Sequence, residues 1–152
     1  MKTLLFIAHT PSENTRLLAT QAIASIQEYA PALRLVTKQP QEVQIEDGLA
    51  CDGIMLGTIE NIGYMSGMTK DMFDRCYNGW LDRQAGLPAC IYIRAGLDGT
   101  ATRQAINAIA TGLKWRLVQP PIVLKGSFCD SFGDTLSEQA AGFAAGLEQG
   151  IF

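Results

Sequence analysis

The chain has 152 residues, of which 47% are hydrophobic and 18% charged, with a formal net charge of −3. This composition excludes a disordered chain, and the small negative charge argues against a nucleic-acid partner or binding to an anionic membrane. The length favours one domain, residues 1–152, with room for a hydrophobic core. The four cysteines form no Cys-x-x-Cys pair and only one histidine is present, so no metal site is expected. We expect a cytoplasmic protein with reduced thiols, because we find neither a signal-peptide cleavage pattern nor a membrane-spanning run.

Short apolar runs alternate with helical spacing along the chain. Nearly continuous apolar runs predict strands buried on both faces, and apolar residues recurring every three to four positions predict helices. The predicted strands cover residues 3–8, 33–37, 52–57, 88–95, 115–118 and 122–124, and the predicted helices cover residues 13–30, 69–80, 101–113 and 135–149. Residues 38–48 are expected to be loop. The pair Pro120 and Pro121 places the last strand at a sheet edge or interrupts it.

This alternation of strands and helices predicts an α/β domain with a parallel sheet and helices on both faces. The apolar stripes predict which helical residues face the core. The stripes are Leu18, Ala22, Ile26 and Tyr29 in the first helix, Ala105, Ala108, Ile109 and Leu113 in the third, and Leu136, Ala140, Phe143 and Leu147 in the last.

Three polar or glycine-rich loops follow the ends of three predicted strands. Loop one is residues 9–15, loop two is residues 58–67 and loop three is residues 96–99. The carboxyl ends of parallel strands share one edge of a sheet, and ligands bind there at the point where the strand order reverses. We therefore expect the three loops to surround one binding site.

Loop one has the chemistry of an anion site at a helix start. Ser12 is the predicted N-cap of the first helix, whose unpaired N–H groups and dipole attract an anion. No Lys or Arg precedes Arg16, so loop one would bind an anion by dipoles more than by charge. The same residues also fit an ordinary capped helix, and loop one alone leaves both interpretations open.

Loops two and three are similarly ambiguous when each is taken alone. The glycines of loop two let backbone approach a planar ligand, against which Ile62 or Tyr64 would lie. The same glycines also fit a surface loop in which they serve turns.

The sequence resembles the flavodoxin-like FMN proteins over nearly its whole length. Residues 10–15, Thr-Pro-Ser-Glu-Asn-Thr, are similar to the family's phosphate loop, Thr-x-Ser/Thr-Gly-Asn-Thr. Residues 52–58, 62–67 and 70–75 are similar to a second signature: a Gly-Thr-Pro loop, a Gly-x-Met-Ser/Ala-Gly turn and a Lys-x-Phe-x-Asp-Arg helix. That signature is nearest to the NAD(P)H:quinone and FMN reductase branch. Residues 95–99 are similar to the third flavin loop.

The resemblance implies a flavodoxin-like three-layer sandwich, with a five-stranded parallel sheet of order 2-1-3-4-5, and it implies FMN as the ligand. The implied binding residues are Thr10, Ser12, Asn14 and Thr15 at the phosphate, and Thr58, Asn61, Ile62, Gly63 and Gly96 at the isoalloxazine ring. The chain departs from the family pattern at several positions. Glu13 replaces the phosphate-loop glycine, Ile59 replaces the proline, Ile62 stands where an aromatic is frequent, and Met72 takes the Phe position.

By this resemblance the protein is expected to be an FMN-binding oxidoreductase that uses NAD(P)H to reduce a quinone, flavin or similar small-molecule acceptor. One alternative is a one-electron carrier of the flavodoxin type that docks on a redox partner protein. Another is a flavodoxin-like module without flavin that acts as a binding protein. The reductase branch often self-associates, so a homo-oligomer is compatible with the sequence. No side chain is identified as a catalytic acid or base.

Two further side chains near the loops carry open interpretations. His9 either titrates beside a phosphate or substrate, or makes a structural hydrogen bond. Arg94 either forms an ion pair with Glu60 or Glu13, or attracts a phosphate of a nicotinamide cofactor.

Overall fold

A parallel β-sheet lies at the centre of the protein, whose residues 1–152 are described by a computed structural model. Its strands are β1 (Thr3–Ala8), β2 (Arg34–Lys38), β3 (Gly53–Asn61), β5 (Pro88–Ala95), β6 (Arg116–Leu117) and β7 (Ile122–Lys125), and β4 (Tyr64–Met65) pairs antiparallel with β3. The order is β2-β1-β3-β5, with β6 and β7 both beside β5. Because β6 and β7 are two halves of one edge strand, the predicted order 2-1-3-4-5 is confirmed.

The edge strand is interrupted where the sequence predicted it. β6 pairs with the start of β5 at Pro88 and Ala89, whereas β7 pairs with its second half from Tyr92 onward. Pro120 and Pro121 lie between β6 and β7, where no N–H is available for a ladder hydrogen bond.

Five helices cover the sheet in two layers: α1 (Glu13–Tyr29), α2 (Ile45–Leu49), α3 (Gly67–Trp80), α4 (Thr100–Gly112) and α5 (Ser131–Glu148). On one face, α1 and α5 bury a cluster that includes Phe6 and Phe143. On the other face, α3 and α4 bury a cluster that includes Trp80 and Trp115. The sheet contributes alternate residues to the two clusters, as the side-chain direction of a strand requires.

Several predicted boundaries and faces are wrong. Residues 38–48 are not all loop, because they contain a 3-10 turn at Pro40–Glu42 and helix α2. Residues 58–61 extend β3, and α5 begins at Ser131 instead of residue 135. Tyr29 is exposed. In α4, the fully buried residues are Thr102, Ile106 and Ala110, and the predicted stripe lies beside them: Leu113 is buried, Ala105 and Ile109 pack half-buried against the core, and only Ala108 is exposed.

The stripe of α5 is buried as predicted. None of the helices combines the length and the apolarity that crossing a bilayer takes.

Candidate functional site

Loops one, two and three meet at the carboxyl edge of the sheet, above the neighbouring strands β1 and β3. The strand order reverses there, because β2 lies on one side of β1 and all later strands lie on the other. The three loops enclose a cleft of about 250 Å³, which we name the loop cleft. It is lined by Pro11, Ser12, Asn14, Thr15, Ile59, Glu60, Arg94 and Gly96. A larger cavity of about 610 Å³ lies between α1 and α5, but no strand end opens into it.

Loop one ends in a reciprocal cap at the start of α1. The N–H of Thr15 donates to Ser12 Oγ at 3.2 Å, and the N–H of Ser12 donates to Thr15 Oγ1 at 3.0 Å. Ser12 is therefore the N-cap, as predicted. The Thr15 hydroxyl donates to the carbonyl oxygen of Ser12, and the Ser12 hydroxyl lies 2.9 Å from Thr15 Oγ1, so both hydroxyls are engaged within the cap. The N–H groups of Glu13 and Asn14 have no partner within the helix and are the donors at its start. This donor set suits an anion in the loop cleft.

Glu13, the departure from the phosphate-loop pattern, does not line the loop cleft. Its side chain is exposed, whereas its neighbours Ser12 and Asn14 both line the cleft. The Glu13 carboxylate therefore does not line the anion site. In the first turn of α1 it interacts favourably with the positive end of the helix dipole.

Thr10 lies beside the loop cleft instead of in it. Gln39 Nε2 donates to Thr10 Oγ1 at 2.6 Å, and the N–H of Thr10 donates to Gln39 Oε1 at 3.2 Å. Both residues line a neighbouring cavity of about 410 Å³ together with Arg16. Sequence reasoning missed Gln39, although it directly follows β2 and so lies at the same edge of the sheet as loop one.

Loop two is a β-hairpin made by β3 and β4. Glu60 and Asn61 pair with Met65 and Tyr64, and the turn between them is Ile62-Gly63. The φ angles of Ile62 and Gly63 are 50° and 73°, the combination that a two-residue hairpin turn requires. This conformation is strained for the β-branched Ile62, whose side chain is fully exposed at the tip.

Thr58, also predicted at the ring, is buried below the hairpin. Its Oγ1 lies 2.7 Å from Thr69 Oγ1, which in turn lies 2.9 Å from Ser66 Oγ. The three hydroxyls join the end of β3 to the start of α3. Of the loop-two residues, Asn61, Ile62 and Gly63 are exposed at the rim, and Thr58 braces them from below.

Loop three is tied to the hairpin by Glu60. Its carboxylate accepts hydrogen bonds from the N–H of Leu97 at 3.1 Å and from the N–H of Gly99 at 2.8 Å. Gly96 lines the loop cleft, and a Cβ built there would meet no atom within 4 Å, so its backbone faces open space. Sequence reasoning did not assign this role to Glu60, since the contact depends on the pairing of β3 with β5.

Arg94 forms no ion pair with Glu60 or Glu13, which was one of its two open interpretations. The guanidinium of Arg94 donates instead to the carbonyl oxygens of Ala95 and Leu124. These carbonyls are within reach because Arg94 pairs with Leu124 across β5 and β7. Arg94 nevertheless lines the loop cleft. It therefore gives the site a positive charge, which loop one itself lacks.

His9 has a buried Nδ1 atom with no hydrogen-bond partner. Burial lowers the pKa of this imidazole below its usual value, because the charged form loses hydration. The neutral ring is therefore favoured at pH 7.

Large apolar side chains are exposed on loops two and three and at the start of the helix that follows loop two. They are Ile62 and Tyr64 on the hairpin, Met68 at the start of α3 and Leu97 in loop three. Exposed apolar residues grouped in this way are typical of a surface that contacts a ligand or partner.

No protein-family model matches the sequence, and no curated protein matches it either. Solved structures do share the fold. An archaeal flavodoxin superposes with a TM-score of 0.78 at 14% identity, covering 97% of this chain and 99% of that one. A WrbA-like flavodoxin from Agrobacterium tumefaciens superposes with a TM-score of 0.77 at 17% identity, covering 98% of this chain and 99% of that one. An oxidoreductase from Corynebacterium diphtheriae superposes with a TM-score of 0.68 at 18% identity, covering 98% of this chain and 96% of that one. The chain has the flavodoxin-like α/β fold, as predicted, and at these identities the likeness extends to the fold alone.

Proposed function

We infer that the protein binds FMN in the loop cleft and acts in electron transfer. The observation that carries this proposal is the convergence of the three loops at the point where the strand order reverses. The similar structures are flavodoxins and an oxidoreductase by their descriptions, which agrees with a redox role.

The residues of the loop cleft fit the two parts of FMN. At the phosphate, the start of α1 would offer its first N–H groups and the side chain of Asn14, with Ser12 and Thr15 holding the helix start in shape and Thr10 beside them. At the ring, the hairpin tip of Asn61, Ile62 and Gly63 would form one wall above Thr58, and Gly96 the other. The open face of Gly96 leaves room for a flat ring against the backbone.

FMN, when bound, would supply hydride and electron transfer, and the protein residues would supply binding and electrostatics. Loop one would hold the phosphate and so fix the position of the ring. Glu60 would hold loop three in place and put negative charge near the ring, which opposes negative charge on a ligand there. The exposed Ile62 and Leu97 would exclude water from part of the ring face.

As an enzyme, the protein would take its electrons from NAD(P)H and pass them to a quinone, a flavin or a similar small acceptor. The apolar rim of Ile62, Tyr64, Met68 and Leu97 would admit such a planar molecule. The same rim supports a second candidate, a one-electron carrier of the flavodoxin type, because a redox partner protein could dock over it. A second copy of the chain is a further occupant compatible with this rim.

Titration of FMN with the purified protein tests the proposal. We expect FMN fluorescence to change on binding at micromolar concentration and the complex to be yellow. If the protein leaves FMN fluorescence and the flavin absorption spectrum unchanged, both redox functions are excluded, and a flavin-free binding module becomes the better description.

A second measurement separates the enzyme from the carrier. Steady oxidation of NADPH or NADH with a quinone, at many turnovers per protein, supports the reductase. Two well-separated one-electron potentials without NAD(P)H turnover support the carrier.

A further inference from the structure

Arg94 occupies an unusual place for a charged residue, near the end of the otherwise buried strand β5. Its neighbours Ile93 and Ala95 are fully buried, and Arg94 itself is half-buried. Side chains alternate along a strand, so Arg94 points to the same face of the sheet as Tyr92, the face covered by α1 and α5. The N-terminus of α1, which carries loop one, lies on this face.

The guanidinium of Arg94 is held by neutral groups only. It donates to the carbonyl oxygens of Ala95 at 2.6 Å and Leu124 at 3.0 Å. Its central carbon lies 5.0 Å from the ring centroid of Phe132 and 5.9 Å from that of Phe128. These two rings pack edge to face, so together they form a fixed support for the cation.

No acidic side chain neutralises the charge of Arg94. None of the ion pairs of the protein includes it. Glu60 lines the same cleft, but its two oxygens accept from the backbone of loop three. Glu13 is exposed and does not line the cleft. A fixed, uncompensated guanidinium facing a cleft is a recognition group for phosphate or carboxylate.

The loop cleft joins this cation to the start of α1. Arg94 lines it together with Ser12, Asn14 and Thr15, so the positive end of the helix and the guanidinium face the same volume. A phosphate monoester, with a charge of about −1.5 to −2 at pH 7, is stabilised by both.

We propose that Arg94 is a phosphate-binding residue of the loop cleft, which makes the protein select FMN over riboflavin. This inference rests on the proposed flavin function. Arg94, a residue of β5, would then contact the phosphate, which loop one would otherwise bind alone through dipoles and hydroxyls.

The test compares FMN and riboflavin binding to the wild-type protein, Arg94→Gln and Arg94→Lys, by fluorescence titration. We expect Arg94→Gln to raise the Kd for FMN by about 10- to 100-fold and the Kd for riboflavin by less than about 3-fold, because only FMN carries the phosphate. Arg94→Lys keeps the charge but loses the planar fork, so its loss for FMN should be intermediate.

A matched control is Arg16→Gln, which removes the same charge close to loop one from a side chain that faces the neighbouring cavity. It should change the Kd for FMN by less than about 3-fold. Circular dichroism and the riboflavin Kd report whether each variant is folded. Should Arg94→Gln fail to fold, Arg94→Lys and the salt dependence of the wild type decide: salt should weaken FMN binding more than riboflavin binding.

The failures of the two proposals are distinguishable. If the wild type binds neither flavin, the proposed function itself is wrong. If the wild type binds FMN but the ratio of FMN to riboflavin affinity is the same in every Arg94 variant, or falls in Arg16→Gln instead, the role of Arg94 is overturned and flavin binding stands.

Discussion

The backbone N–H groups at the two ends of the loop cleft differ in whether the protein itself supplies their hydrogen-bond acceptor. At the loop-one end, α1 begins with the N–H groups of Glu13 and Asn14, which have no partner within the helix, and Arg94 faces the same volume. At the loop-three end, Glu60 already accepts from Leu97 and Gly99. One end is prepared for an anion from outside, whereas the other holds an anion of the protein itself.

This difference indicates a division of roles between the ends. The loop-one end would decide which flavin binds, since only its donors meet the phosphate. The loop-three end would act on the ring, which FMN and riboflavin share. Substitutions at loop one should therefore separate the two flavins, and substitutions at Glu60 should affect both alike.

Apart from the Arg94 variants, the largest effect is expected at Asn14 and Thr15. Asn14→Ala and Thr15→Ala should each weaken FMN binding by about 10-fold and riboflavin binding much less, because each removes a polar group from the phosphate end. Thr15→Ala also removes half of the reciprocal cap and should lower the free energy of unfolding by about 1 kcal/mol. Fluorescence titration and urea unfolding measure the two effects.

Asn78→Ala is the control, since Asn78 is exposed on α3 and does not line the loop cleft. It should leave both affinities unchanged. Equal losses for FMN and riboflavin in Asn14→Ala and Thr15→Ala would show that loop one is not the phosphate site.

The next effect concerns Glu60. Glu60→Ala leaves two N–H groups of loop three without an acceptor, which should lower the free energy of unfolding by about 1 kcal/mol in the absence of ligand. The freed groups become donors for a bound ring, so the affinities for FMN and riboflavin should rise together by about 2- to 5-fold.

Glu60→Gln separates charge from hydrogen bonding, because an amide oxygen still accepts but carries no charge. We expect it to change both affinities less than Glu60→Ala does. A gain for FMN alone in both variants would mean that the Glu60 charge acts at the phosphate, and the division between the two ends would be lost.

The predicted site residues that line the loop cleft are those with local signals. Ser12, Asn14 and Thr15 follow a strand and open a helix within one short stretch, so their placement needs no knowledge of distant contacts. Gly96 follows the same logic at the end of β5. The sheet order came from the resemblance to a known family, and the alternation of elements by itself gives only the α/β class.

The residues that sequence reasoning misjudged depend on long-range pairing. Arg94 meets the carbonyl of Leu124 only because β7 lies beside β5, and it meets Phe132 only because α5 begins at Ser131. Glu60 reaches Gly99 only because β3 continues beyond the apolar residues predicted for it and pairs with β5, which loop three follows. Apolar periodicity does not detect such contacts, since polar strand ends look like loop.

The smallest effect is expected at Ile62, on the ring side of the comparison. Its φ of 50° is unfavourable for a β-branched residue, and its exposed side chain makes no core contact that a substitution would lose. Ile62→Asn creates Asn-Gly, the preferred pair for this turn, and should raise the free energy of unfolding by about 0.5–1 kcal/mol in urea titrations without ligand.

Ile62→Val is the matched control, because it keeps the β-branch and with it the strain, so its stability should stay at the wild-type level. If Ile62 covers the ring, Ile62→Asn should also weaken FMN and riboflavin equally, by about 2- to 3-fold, although the fold is more stable. Higher stability with lower affinity for both flavins would mean that the strained turn serves the ring. Equal stability of the Asn and Val variants would show that Ile62 is not strained. A loss of affinity for FMN alone would indicate that the hairpin contacts the phosphate instead of the ring.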